Sequence, residues 1–173
     1  KYIIMRPLST DYAPFYETYV SLVKSDDIKQ ALSASLSDME NFLQSIPENK
    51  SDYAYADGKW TVKQVLQHGI DSEIVFAYRA MCIARGEKQS LPSFDENLYA
   101  ENATVQHRSV KGLAEELLLQ RKSTILMFEY FTDEMLQASG TASGKSITVL
   151  SLGYIIAGHW QHHQQILTER YLN

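Results

Sequence analysis

The chain has 173 residues, 45% of them hydrophobic and 21% charged, which is length enough to bury a core in a single domain spanning residues 1–173. A formal charge of −5 argues against a nucleic-acid-binding surface, which is normally basic. The one cysteine, Cys82, excludes an internal disulfide framework and fits a reducing compartment. There is no signal-peptide pattern and no apolar run long enough to span a bilayer. Lys1 rather than Met opens the sequence, as a trimmed N-terminus would, and the cytoplasm is the expected location.

Lys1 to Ser9 reads as a lead-in segment pinned by Arg6-Pro7. Thr10 or Asp11 then caps a first, shorter helix, with Pro14 tolerated in its first turn and Phe15, Tyr19, Leu22 and Val23 at helical spacing. Ser25-Asp26-Asp27 interrupts it and caps a second helix from Ile28 to Ile46, whose apolar stripe is Ile28, Leu32, Leu36, Met39, Leu43 and Ile46; Pro47 stops it. Thr61 followed by Gln64 is a capping-box pattern. It starts a helix that runs through Val62, Val65, Leu66, Ile70, Ile74, Ala77, Met81 and Ile83 to Arg85, with Gly86 as its stop.

Gly86 to Ser109 is a long connection, with a short helix predicted over Asp95 to Ala103. Its roughly 24 residues can reach tens of Å at ~3.3 Å each. That is enough to run the length of a bundle and start the next helix at the same end. Ser109 caps that helix, which carries Leu113, Leu117, Leu118, Ile125, Phe128 and Phe131. Thr132 to Gly144 is a second connector with one helical turn over Asp133 to Gln137. Ser146 is read as the cap of the last helix, with Leu150, Leu152, Ile155, Ile156, His159, His163, Ile166 and Leu167 facing inward. No strand alternation competes, and the expected fold is an all-α bundle of four main helices with at least one long crossover.

Three of the five histidines fall in Gly158-His159-Trp160-Gln161-His162-His163. Residues four apart share a helix face, so His159 and His163 aim two imidazoles at one point, and His162 competes with them as a neighbour. Imidazole suits Zn, Ni, Fe and Cu, and a catalytic metal keeps a position open beside three protein ligands. His68 lies on another helix among Val65, Leu66 and Ile70, where an unpaired ring is costly. It is either a third ligand or a core histidine bonded to a backbone carbonyl.

Trp60-Thr-Val-Lys-Gln-Val-Leu-Gln-His68, followed by Asp71-Ser-Glu73 and Arg79, resembles the opening of the second bundle helix in the DinB-like family. The His159-x-x-x-His163 stretch with Gln165-Ile166 is similar to that family's closing signature. The acidic Asp95-Glu96, the helix with Arg121 and the Gly-containing connector follow in the same order, so the resemblance covers roughly Leu22 to Leu172. It implies a four-helix bundle of up-down-down-up course and a divalent metal held by His68, His159 and His163. Zn and Ni are favoured, with Fe and Mn as alternatives. His162 falls outside the pattern and His107 has no counterpart. Gly69 stands where the family more often has a bulky apolar residue, which would open space beside the metal.

The resemblance further implies a metal-dependent enzyme acting on a small-molecule substrate, either by transfer of a low-molecular-weight thiol or by hydrolysis, working as a homodimer without nucleic acid or membrane. No catalytic residue and no organic cofactor is assigned. Alternatives are a non-catalytic metal-binding or stress-associated dimer, and a bundle that has lost its metal and serves as an interaction module.

Other features weigh less. Gly144-Lys145-Ser146 lacks the glycine and preceding strand of a phosphate-binding loop and is read as a helix cap. Asp71 is placed to orient a ligand histidine or to sit in solvent. Asp71, Glu73 and Asp95 are candidate bases for a hydrolytic reaction. Arg79 and Arg121 suit either an acidic substrate or, more simply, inter-helix ion pairs. Cys82 is read as a small core residue. Trp60 is read as a packing anchor able to wall a pocket near His68.

Overall fold

The structure, a computed structural model, describes residues 6–173; the first five residues of the expected lead-in lie outside that range. The first predicted helix is much shorter than its spacing suggested. Ala13 is extended, as residues before proline tend to be, so helical structure starts only at Pro14, first as a 3-10 turn and then as α1 (Glu17–Val20). Asp11 accepts from the backbone N–H of Leu8 instead of capping a helix. α2 (Ile28–Ser45) is capped by Asp27, whose carboxylate accepts from the N–H groups of Lys29 and Gln30. α3 (Val62–Ala84) carries the full reciprocal capping box between Thr61 and Gln64. Its buried stripe passes through Leu66, Ile70, Phe76, Ala80 and Ile83, while Ile74 and Met81 face outward.

The crossover contains α4 (Glu96–Asn102), capped by Asp95. α5 (Val110–Glu129) starts on Ser109, and α6 (Asp133–Gln137) is the expected single turn. The following segment departs from the all-helical expectation. Ser139–Ala142 (β1) and Lys145–Thr148 (β2) pair as an antiparallel hairpin. Its two-residue loop, Ser143-Gly144, has both φ angles positive, the conformation of the tight turns that match strand twist. Of the residues read as a helix cap, Gly144 therefore belongs to the hairpin turn and Lys145 and Ser146 to β2, and the cap of α7 (Val149–Ile166) is Thr148, not Ser146. Leu91 of the crossover hydrogen-bonds alongside β1, donating to Thr141 and accepting from Ser143, which ties hairpin and crossover together.

Cross-helix contacts set the course of the bundle. Lys29 at the start of α2 donates to the carbonyls of Glu129 and Phe131 at the end of α5, so α2 and α5 are antiparallel. Gly69 faces Leu117 and Glu73 pairs with Arg121, so α3 and α5 run parallel. Gly69 also faces Trp160, and Ile83 faces Gly140 just before α7, so α3 and α7 are antiparallel. Ile28 meets Gly153, and Phe42 meets Trp160, so α2 and α7 run parallel. The course is up-down-down-up, and only the long crossover permits the parallel pair α3 and α5.

The apolar core falls into two clusters. One joins the start of α2 and α7 to the ends of α3 and α5, with Leu32, Phe76, Phe128 and Leu152. The other joins the opposite ends, with Met39, Leu66, Leu113 and Trp160. Between them lies a buried polar layer of His68, Ser72, Glu73, Arg121, Thr124, His159 and His163. Among the described residues no helix is long and apolar enough to cross a membrane.

Candidate metal centre

The three histidines come from two antiparallel helices. The capping box fixes where α3 begins and so sets the rotation that turns His68, in its second turn, toward α7. There His159 and His163 stand one above the other. His159 Nε2 lies 3.0 Å from His68 Nε2 and 3.1 Å from His163 Nε2, and one nitrogen from each ring lies within 4.8 Å of the others. Neutral imidazoles cannot satisfy this arrangement well, because His159 Nε2 carries either one proton or one lone pair and faces two nitrogens. A cation accepts all three lone pairs. Nitrogens bound at ~2.0–2.1 Å sit about 2.9–3.4 Å apart at octahedral to tetrahedral angles, and the two separations from His159 Nε2 fall within that span. The residues present therefore fit a divalent metal.

Burial keeps the rings neutral. Desolvation, with a smaller push from His162, lowers His68 to about 4. Desolvation, then His68 and His162, lowers His163 to about 3. His159 is held well below the ordinary histidine value by complete burial, then by the neighbouring imidazoles and Arg121. All three lone pairs are thus free near neutral pH, as metal ligation requires. Ser72, one helical turn beyond His68, places Oγ 3.3 Å from His68 Nδ1 and orients that ring from behind. The same four-residue spacing that flags the histidine pair picks out Ser72, a position the sequence reading passed over.

A cavity of about 280 Å³ opens beside His159. Its walls include Tyr16, Tyr19, Phe76 and Phe94, with Arg79 on one side and Asp95 and Glu96 toward the mouth. Tyr19 stands edge-on to His159, ring centroids 5.1 Å apart. It is placed there because α1 lies directly on Gly158. Burial, then Glu96 and Tyr16, raises the Tyr19 phenol to about 12, so it stays protonated. Trp60 packs over His68 at 4.8 Å between centroids, a packing anchor that is not among the residues lining this cavity.

The remaining candidates separate from the histidines. His162 is half-buried beside Tyr19 and His163, and His107 is exposed. Asp71 does not orient a ligand ring; it accepts from Gln67 Nε2 at 2.9 Å. Glu73 and Arg121 form a buried bidentate ion pair, at 2.8 and 2.9 Å, and Arg121 also donates to the carbonyl of Ile156. Neither faces the cavity as a base or an anchor. Asp95 lines the cavity while capping α4. Gly69 opens no space beside the imidazoles, since a Cβ there would meet Leu117 and Trp160. Cys82 is half-buried and packs at the edge of the first core cluster.

No curated protein matches the chain. Among solved structures it is similar to YfiT from Bacillus subtilis, described as a probable metal-dependent hydrolase with an unusual four-helix bundle topology. The TM-score is 0.70 at 17% identity, covering 95% of this chain and 90% of that one. At that identity the likeness speaks for the fold. A model of the DinB superfamily matches residues 31–167, a span that holds all three histidines and all of the four bundle helices except the first three residues of α2. The chain belongs to the DinB superfamily.

Proposed function

We propose that this protein is a metal-dependent enzyme acting on a small molecule, with a divalent metal held by the Nε2 atoms of His68, His159 and His163. The observation that carries this reading is the convergence of three buried, neutral imidazole nitrogens beside a cavity open to solvent. A metal so held activates water or a thiol as a nucleophile. The chain's own part is to hold the rings through Ser72 and Trp60, to wall the cavity with aromatic side chains, and to present a protonated Tyr19 hydroxyl within it. The resemblance to YfiT, described as a probable hydrolase, favours hydrolysis, with thiol transfer as the second reaction to assay. Imidazole ligands suit Zn, Ni and Fe better than Mn, and Zn or Ni is the metal proposed.

Exposed Ile74, Tyr78, Leu98 and Tyr99 cluster on α3 and α4. They support a homodimer, and with it the alternative of a non-catalytic metal-binding protein. The cytoplasm remains the proposed location. Elemental analysis after reconstitution tests the site. One metal per chain is expected, lost in His163→Ala. No bound metal, or unchanged stoichiometry in the variant, overturns the assignment. Turnover of small esters, amides, or thiol–electrophile pairs by the loaded protein then separates enzyme from binding protein.

A further inference from the structure

Arg79 is a buried cation without a counterion. It is 2% exposed, and none of the ion pairs among the described residues includes it. Its Nη2 donates to the carbonyl of Pro92 at 2.6 Å and to Ser143 Oγ at 3.1 Å, both uncharged. Its Nε, also buried, has no partner. The rings of Phe76 and Phe94 flank the guanidinium, each centroid 5.9 Å away. Arg121, the other fully buried arginine, has a bidentate carboxylate. Leaving Arg79 without one is costly in a desolvated setting, and Arg79 lines the same cavity as His159.

We infer that Arg79 is the anion-recognition residue of this cavity, and that the substrate is a small molecule with an apolar body and one anionic group, such as a carboxylate. The anion pairs with the guanidinium, which the crossover and the hairpin tip hold in place through Pro92 and Ser143. The apolar body lies against Phe76 and Phe94, and the opposite end of the molecule reaches His159. The carboxylates on the cavity wall limit the ligand to one anionic group: Asp95 is engaged in capping α4, and exposed Glu96 at the mouth repels a second. The direction of the bound molecule rests on the metal-centre reading; the anion subsite does not.

The test uses benzoate, with benzamide as its neutral isostere, on the full chain in metal-loaded and chelator-stripped forms. Benzoate is expected to move the Arg79 Nε–Hε cross-peak in the nitrogen–proton spectrum, and benzamide is not. Benzoate affinity is expected to fall about tenfold in Arg79→Met, the loss of one charge-assisted pair, and to fall less in Arg79→Lys. It is expected to rise about twofold in Glu96→Gln, where a like charge is removed. An unmoved cross-peak, equal binding of the two ligands, or unchanged affinity in Arg79→Met overturns the inference and marks Arg79 as a clamp between crossover and hairpin. If circular dichroism shows Arg79→Met unfolded, the cross-peak and Glu96→Gln decide. Benzoate binding through Arg79 in a protein that takes up no metal refutes the metal reading alone; metal uptake without benzoate selectivity refutes this one alone.

Discussion

The backbone of Tyr19 rests on Gly158: a Cβ at Gly158 would lie 2.0 Å from the Tyr19 carbonyl oxygen. No rotamer change relieves a contact with backbone, so α1 must move if residue 158 carries any side chain. The Tyr19 ring moves with it, and that ring covers His159. Gly158→Ala is therefore expected to destabilise the fold by about 1–3 kcal/mol, the usual cost of overpacking, read from urea unfolding. It is also expected to quicken amide exchange in α1 while leaving α3 and α5 protected. A variant as stable as the parent would show that α1 is not seated as described.

Glu73 and Arg121 lock three helices at mid-height, since Arg121 also reaches the Ile156 carbonyl one turn before His159. Removing one partner leaves a buried, unpaired charge. Glu73→Leu or Arg121→Met alone is expected to cost about 3–5 kcal/mol, and the double variant to recover most of that loss. Because the pair fixes α7 against α3, the single variants should also weaken metal affinity more than the double. A double-mutant cycle with equilibrium unfolding checks the first point and metal titration the second; strictly additive losses would refute the coupling.

Features that depend on one helix were legible in the sequence. The Thr61–Gln64 box, the Asp27 and Ser109 caps and the His159–His163 pair are all spacings within a turn or two. The course of the bundle was legible through the length of the crossover. The pairing of Glu73 with Arg121 was not, because which charge meets which across helices depends on helix rotation and height, and spacing along one helix is silent on both; the Gln67–Asp71 bond, one turn apart on α3, was a within-helix spacing that went unread. The hairpin was missed for another reason. Its strands are four residues each, too short for an alternating pattern, and Ile147-Thr148-Val149 runs on into helical periodicity. The turn dipeptide Ser143-Gly144 was its one local signal. His68 was ambiguous as a single residue, and it became informative only beside the family pattern and then beside His159.

Gly69 offers a stability test that separates packing from function. A Cβ added to it would lie 3.5 Å from Leu117 and 3.6 Å from Trp160, ordinary contact distances for a methyl group. Gly69→Ala removes the entropic cost of glycine in the middle of α3 and is expected to stabilise the protein by up to about 1 kcal/mol, with metal binding unchanged. Gly69→Leu is expected to collide with both neighbours and destabilise. If Gly69→Ala altered metal affinity while leaving stability alone, the residue would border the metal after all.

The buried imidazoles also set the pH response of the metal-free protein. In the unfolded chain each titrates near 6.5. In the folded chain His68 is lowered to about 4 and His163 to about 3, both mainly by desolvation, and His159 lies well below the ordinary value. Between these values the unfolded state binds more protons, so stability rises with pH and falls as pH drops. The contribution is complete above about pH 6.5 and is lost progressively toward pH 4 and below. Asp71, raised by burial despite its bond from Gln67, works in the opposite sense over the acidic part of this window, but as one group against three. In the presence of a chelator, the urea midpoint is expected to decline steadily from pH 7 to pH 5, and His163→Gln is expected to flatten the slope by about one proton's worth. A midpoint independent of pH over that range would mean that the imidazoles titrate normally and are not held neutral by burial.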